Sequence, residues 1–193
     1  MTAPEKGTFS VGLVRGLPRA DFSECHERMI ASGPQRCLDA VERFRTEDDA
    51  FIRTCLTLRD LPGRLTGGKN AHRFGMESFT PLGRIDNHWV GYGLVGRFWQ
   101  AGYGLASTER TAKAFWEADG RACRLLLTFA TQPASDGVTR LVTRTEISCP
   151  DPRDRRKMTL YWLLIRPVSG IIRRRILRAV EMECMRADIQ KAS

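Results

Sequence analysis

Residues 161–181 read YWLLIRPVSGIIRRRILRAVE, and the fold follows from how this stretch is placed. Its front half is apolar, Pro167 interrupts it, and its back half carries Arg173, Arg174, Arg175 and Arg178. Just upstream, Asp151 and Pro152 supply an N-capping aspartate and a proline at the first helical position. An unbroken helix from there to Asp188 would be about 57 Å long at 1.5 Å per residue, longer than a domain of this size is wide. Pro167, which removes the bond to the Leu163 carbonyl, together with Ser169 and Gly170, therefore predicts a bend. Met158, Trp162, Ile165, Ser169, Ile172, Ile176 and Ala179 recur at spacings of three and four, an inner stripe. Leu160, Leu163 and Leu164 widen it, so the front half is expected to be covered on two sides.

Working back from this helix, 122–133 and 138–149 flank Ala-Ser-Asp-Gly, a hairpin signal. Leu125, Leu127 and Phe129 share one face, as do Leu141, Thr143, Thr145 and Ile147; Arg140, Arg144 and Glu146 point to a face expected to be wet. Strand-like segments at 73–82 and 88–99 are separated by 83–87, and Gly91, Gly93 and Gly96 mark the second as bent or closely approached. A short helix at 108–117 turns Ala112, Phe115 and Trp116 inward. Phe22–Ala31 reads as a strand with Phe22, Glu24, His26, Arg28 and Ile30 on one face. Ser32 and Gln35 suggest a capping box for the helix that follows, with Cys37, Leu38, Val41 and Phe44 inside. Thr46 caps a second helix with Phe51, Ile52, Cys55, Leu56 and Leu58 as its stripe, stopped by Leu61-Pro62-Gly63. Gly67–Asn70 reads as a loop. Residues 1–20 form a loosely ordered arm with a short strand near Thr8–Val14, and 21–190 a single domain.

Composition bounds the function. A chain of 193 residues, 42% hydrophobic and 27% charged, is that of a globular domain with a sizeable core. No apolar run is long enough for a transmembrane segment, and the first twenty residues lack the apolar core of a secretory signal. Six scattered cysteines without a C-x-x-C pair read as reduced thiols in a cytoplasmic protein, Cys37, Cys55, Cys123 and Cys149 behaving as small hydrophobes. His26, His72 and His88 share no ligand spacing, so no metal site is expected. From Asp151 onward there are eleven Lys/Arg against five Asp/Glu, so +6 of the net +9 lies at the C-terminal end. That suits an anionic membrane or nucleic-acid surface, or a solvated helix face; no aromatic residue interleaves the arginines of 173–178 for base stacking, and no DNA partner is expected.

In order, the chain is β, α, α, several antiparallel strands and a long C-terminal helix. With Phe-x-Glu-x-His at 22–26, Leu-x-Leu-Arg-x-Leu-Pro at 56–62, Gly-Leu-Val-Gly-Arg-Phe-Trp at 93–99 and Tyr-Trp-x-Leu-Ile-Arg-Pro-x-Ser-Gly-x-Ile-Arg-Arg at 161–174, it resembles an uncharacterised bacterial branch of the SRPBCC superfamily (START-like, Bet v 1-like, polyketide cyclase-like). The resemblance implies an α+β helix-grip fold: a curved antiparallel sheet of about six to seven strands wrapped around a long kinked C-terminal helix. It implies function only broadly, since relatives include lipid carriers, hormone receptors, aromatase/cyclases, hydroxylase domains and chaperone activators. Where the branch has glycine after Arg-Pro, this chain has Val168, whose bulk is expected to narrow the space below the bend. The hydroxylases' iron-binding histidines and the Rieske motif have no counterpart.

The resemblance implies a pocket between sheet and last helix, walled by Tyr92, Trp99, Leu127, Phe129, Leu141, Thr143, Thr145, Trp162, Ile165 and Ser169; the same aliphatics read equally as core. Buried Thr143 and Thr145 hydroxyls need partners. His26, between Glu24 and Arg28, reads either as a general base or as a hydrogen-bonded structural histidine. Arg97 and Arg166 either bind an anionic ligand group or pair with a helix-terminal acid. Glu77, Tyr92 and Tyr103 are further proton-transfer candidates, and His88 a loop-edge residue. The reading is a protein that binds a small hydrophobic or aromatic ligand, lipid- or polyketide-like. The alternatives are a cofactor-independent, metal-independent cyclase or aromatase using the same cavity, and an anionic-surface module through the C-terminal arginines. A homodimer is compatible with either.

Overall fold

Strand β1 (Phe22–Ile30) does not pair with its neighbours in sequence but with β5 (Val138–Ser148), at the far end of the chain. The computed structural model describes residues 16–55, 57, 76–100, 110–118 and 122–192, apart from the side chains of 77 and 187–192. Within these, β2 (Thr80–Ile85), β3 (Trp89–Gly96) and β4 (Cys123–Ser135) complete one curved antiparallel sheet in the order β1-β5-β4-β3-β2. The protein is α+β, and the described sheet has five strands where six to seven were expected. The expected strand near 8–14, the 67–70 loop, the 61–63 stop, Leu56, Leu58, His72 and Tyr103 lie outside the described residues.

The hairpin behaves as its turn residues dictate. Asp136 and Gly137 make the connection, Gly137 at φ +71°, and β4 and β5 pair from Arg124 opposite Ser148 to Ser135 opposite Val138, with one register shift between Pro133 and Ser135. Gly83, expected in the turn between β2 and β3, instead lies inside β2 at φ +107°, beside a register shift between Pro81 and Gly83. A bulge there needs the left-handed backbone that glycine adopts freely. The remaining turn is Asp86, Asn87 and His88, with His88 exposed.

Helix α1 (Pro34–Arg43) buries Cys37, Leu38, Ala40 and Val41. Its N-cap is Gly33, with Pro34 opening the first turn, and no side chain caps it. The expected capping box is therefore absent: Ser32 is buried and its side chain does not cap the helix. The next helix, α2 (50–55), is capped by Asp49 and not by Thr46, the Asp49 carboxylate accepting from the Phe51 and Ile52 N–H groups; Thr46–Asp48 is a 3-10 turn. Helix α3 (Ala112–Glu117) takes its cap from Thr111, whose hydroxyl accepts from the Ala114 N–H.

α3 packs on β2 and β3 at the back of the sheet; the hairpin face expected to be wet is covered on its β4 side, where Leu126 and Ala130 are buried, and open at Arg144. Leu17, Leu82, Trp89, Phe115, Leu126 and Ala130 form a second, smaller core there, and only the β1–β5 half of that face carries exposed Ser23, Cys25, Glu27, Met29 and Arg144. The β3 glycines are seats for this core. A Cβ at Gly91 would stand 2.1 Å from the Trp89 ring, and one at Gly93 2.6 Å from the Phe115 ring. Part of the expected arm is anchored as well, since the Leu17 N–H donates to Glu146 Oε2 (2.8 Å).

Helix α4 (Pro152–Ala192) runs 41 residues with Pro167 inside it. It lies on the front of the sheet against β1 and β5 and alongside α1. Of the expected inner stripe, Met158, Trp162 and Ile176 are buried and Ile165, Ser169, Ile172 and Ala179 partly so; Leu177, Val180 and Cys184, outside that stripe, are buried as well. Leu160, Leu163 and Leu164 are not part of it: they are 74%, 65% and 77% exposed, and the front half of α4 is covered on one side only. Val168 also faces outward and narrows nothing beneath the helix. Among the described residues no helix is long and apolar enough to cross a membrane.

The cysteines are not uniformly free thiols. Cys123 and Cys149 form a disulfide across the open end of the β4–β5 hairpin, correcting the reading of both as reduced. Cys37 and Cys184 are buried free thiols where α1 meets α4. The hydrogen bond between them pushes the Cys37 thiol up and pulls Cys184 down to about 7.

Candidate functional site

Period-two alternation sends Phe22, Glu24, His26, Arg28 and Ile30 from β1 toward α4. The register then builds rows across the front of the sheet: Glu24 beside Thr145, Leu127 and Tyr92; His26 beside Thr143, Phe129 and Val90. These rows hold half of the wall residues named from sequence. Leu127, Phe129, Leu141, Thr143 and Thr145 are all buried. Tyr92 is half-buried, edge-on to Phe129 at 6.5 Å, and burial pushes its phenol up to about 12, so it stays protonated at neutral pH. Trp162 is buried against Phe22 (6.0 Å between ring centroids), and Ile165, Ser169 and Trp99 are partly buried around the same core.

At the β1 edge the wall turns polar. His26 Nε2 lies 2.9 Å from Glu24 Oε1, so the carboxylate orients the ring. Directly above is Gly170 of α4, where a Cβ would stand 2.8 Å from Glu24 Oε1 and 3.4 Å from His26 Nε2. Any larger residue there would require the Glu24 carboxylate to shift. One turn further on, Arg173 turns inward: burial pulls its guanidinium down to about 10, the Glu24 charge works against that, and it remains a cation at neutral pH. Three atoms of these side chains, Glu24 Oε2, Thr143 Oγ1 and Arg173 Nε, are shielded from solvent and have no hydrogen-bond partner among the described residues.

Sequence reasoning missed Arg173, having grouped it with the solvated arginines. The available signal was its position, four residues after Ser169 and three before Ile176, within the inner stripe. Other expected site residues lie elsewhere. Arg97 Nε pairs with Asp154 Oδ2 (3.0 Å) in the first turn of α4, which is the helix-terminal alternative. Arg166 is exposed on the helix. Arg28 is joined to Glu181 (2.6 Å), leaving Glu24 as the partner of His26. The Glu77 side chain lies outside the described residues.

No family model matches the chain, and no curated protein does. Among solved structures, the protein TTHA0849 from Thermus thermophilus aligns with 86% of this chain and 98% of its own at 10% identity, with a TM-score of 0.31.

Proposed function

We propose that the chain is a helix-grip protein of the SRPBCC kind that holds a small apolar or aromatic molecule, lipid- or polyketide-like, between the front of the sheet and α4. The observation that carries this reading is three shielded polar atoms with no hydrogen-bond partner among the described residues: Glu24 Oε2, of the carboxylate beneath Gly170, Thr143 Oγ1, in the row beside His26, and Arg173 Nε, one turn along α4. Each unmade bond costs roughly 1–3 kcal/mol, which a ligand meeting these atoms would recover. Glu24 offers an acceptor, Arg173 a donor and Thr143 both, so the matching molecule carries a hydroxyl or carboxyl at one end. Its affinity comes from apolar area, at about 25 cal/mol per Å² buried, and its orientation from the polar cluster. Titration with 1-naphthol and 2-naphthoic acid tests this. Saturable one-to-one binding is expected, with Arg173→Met weakening the acid by about tenfold, or 1.4 kcal/mol. Absence of saturable binding, or equal affinity in the variant, contradicts it.

A second reading rests on the Glu24–His26 contact. A histidine held by a carboxylate beside an apolar wall is equipped to move a proton, as a metal-independent cyclase or aromatase would require. Under it, His26→Gln abolishes turnover of a polyketide-like substrate and leaves ligand retention intact.

A further inference from the structure

We infer that the outer face of α4 docks flat on an anionic lipid surface, its central apolar stripe entering the interface and its cationic ends meeting the headgroups. At 3.6 residues per turn, Leu160, Leu163, Leu164, Pro167, Val168 and Ile171 fall on one side of the helix, opposite the stripe that meets the sheet. All six are exposed. They extend over about 16 Å of helix. Nothing among the described residues covers them.

The same side is cationic at both ends. Arg153, Arg156 and Lys157 precede the apolar stripe, Arg174, Arg175 and Arg178 follow it, and all are exposed. No Asp or Glu occurs between Arg155 and Val180. Two neighbouring acids are engaged, Asp154 buried against Arg97 and Asp49 paired with Arg175 (2.8 Å), while Glu47, Asp48 and Asp151, close by in sequence, are exposed. Phe51, 38% exposed, lies under the Arg175 guanidinium (5.2 Å) and extends the apolar surface toward α2. An apolar belly between basic collars is what an interfacial helix needs, combining buried apolar area with attraction to anionic headgroups.

Charge excludes the other occupants. Two copies packed through this stripe, parallel or antiparallel, would set one basic collar against another. Residues 1–15, 58–75 and 101–109 contain a single acid each, too few to complement the five collar cations left once Arg175 pairs with Asp49. Nucleic acid would match the arginines but leave Leu160, Leu163 and Leu164 bare. The inference stands independently of any ligand on the inner face.

Flotation of the full chain with vesicles tests it, using phosphatidylcholine alone and phosphatidylcholine with about one third phosphatidylglycerol, an anionic content of the kind basic segments respond to. Binding is expected to the anionic vesicles, and little to the neutral ones. The pair L160S and L164S, and separately the triple R153Q, R156Q and K157Q, should each weaken it by about tenfold or more, since area and charge act together. These side chains lie off the core, and unchanged circular dichroism confirms the fold. Equal binding to both vesicle types overturns the charge component. Binding untouched by the leucine changes, or stronger binding to a DNA duplex, overturns the lipid surface in favour of nucleic acid. A dimer in solution that the leucine changes dissociate assigns the face to a second copy.

Discussion

Thr143 is the residue at which ligand binding and plain packing predict different outcomes. Its hydroxyl is buried with no partner among the described residues, beside His26 in the register. Thr143→Val keeps the shape and removes an unsatisfied group, so stability to urea should be unchanged or rise by about 1 kcal/mol. Binding of 2-naphthoic acid should nonetheless weaken. Loss of stability would mean that the hydroxyl is already satisfied inside the protein. The sequence placed Thr143, Thr145, Glu24 and His26 on the correct faces because a strand's period of two leaves no choice once its start is known. It could not place Arg173: long cationic side chains on helices are normally solvated, and only the approach of α4 over Gly170 brings this one to Glu24. Arg97 was legible only as two alternatives, since its partner Asp154 is 57 residues away.

Among the elements, β3 shows how a sequence signal can be right while its cause lies elsewhere. Its glycines announced a special strand, yet at Gly91 and Gly93 the requirement is room for the Trp89 and Phe115 rings on the rear face. Gly93→Ala should therefore destabilise the protein by about 1–3 kcal/mol, the usual cost of overpacking, measured by urea unfolding. A neutral result would show that α3 can move away freely. The hairpin was plain from Asp136-Gly137 and alternation, but the bond joining its open end was not, because pairing of cysteines depends on register rather than on their spacing. Replacing Cys123 and Cys149 together with serine should lower stability by about 3.5 kcal/mol, the loop-closure value for a separation of 26 residues. Identical urea midpoints for the oxidised wild type and this variant would contradict that. Helix starts were less legible: Gly33 and Asp49 displaced the expected Ser32 and Thr46, as happens where several capping residues adjoin.

At the scale of the whole molecule, the decisive feature is that α4 is apolar on two sides. Spacings of three and four fit both the stripe facing the sheet and the one facing outward, so sequence reasoning merged them into a single wide face. Only the long-range pairing of β1 with β5, which puts the Glu24–His26 edge beneath the helix, separates the two. The inner side then carries the polar cluster and the outer side the bare leucines. Completion of the inner cluster by a bound molecule is the central claim, and native mass spectrometry of protein purified without detergent tests it most directly. A discrete added mass of a few hundred daltons is expected on the wild type, greatly reduced when Glu24→Gln and Arg173→Met are combined. A bare polypeptide mass for the wild type, under conditions that preserve non-covalent complexes, would contradict it.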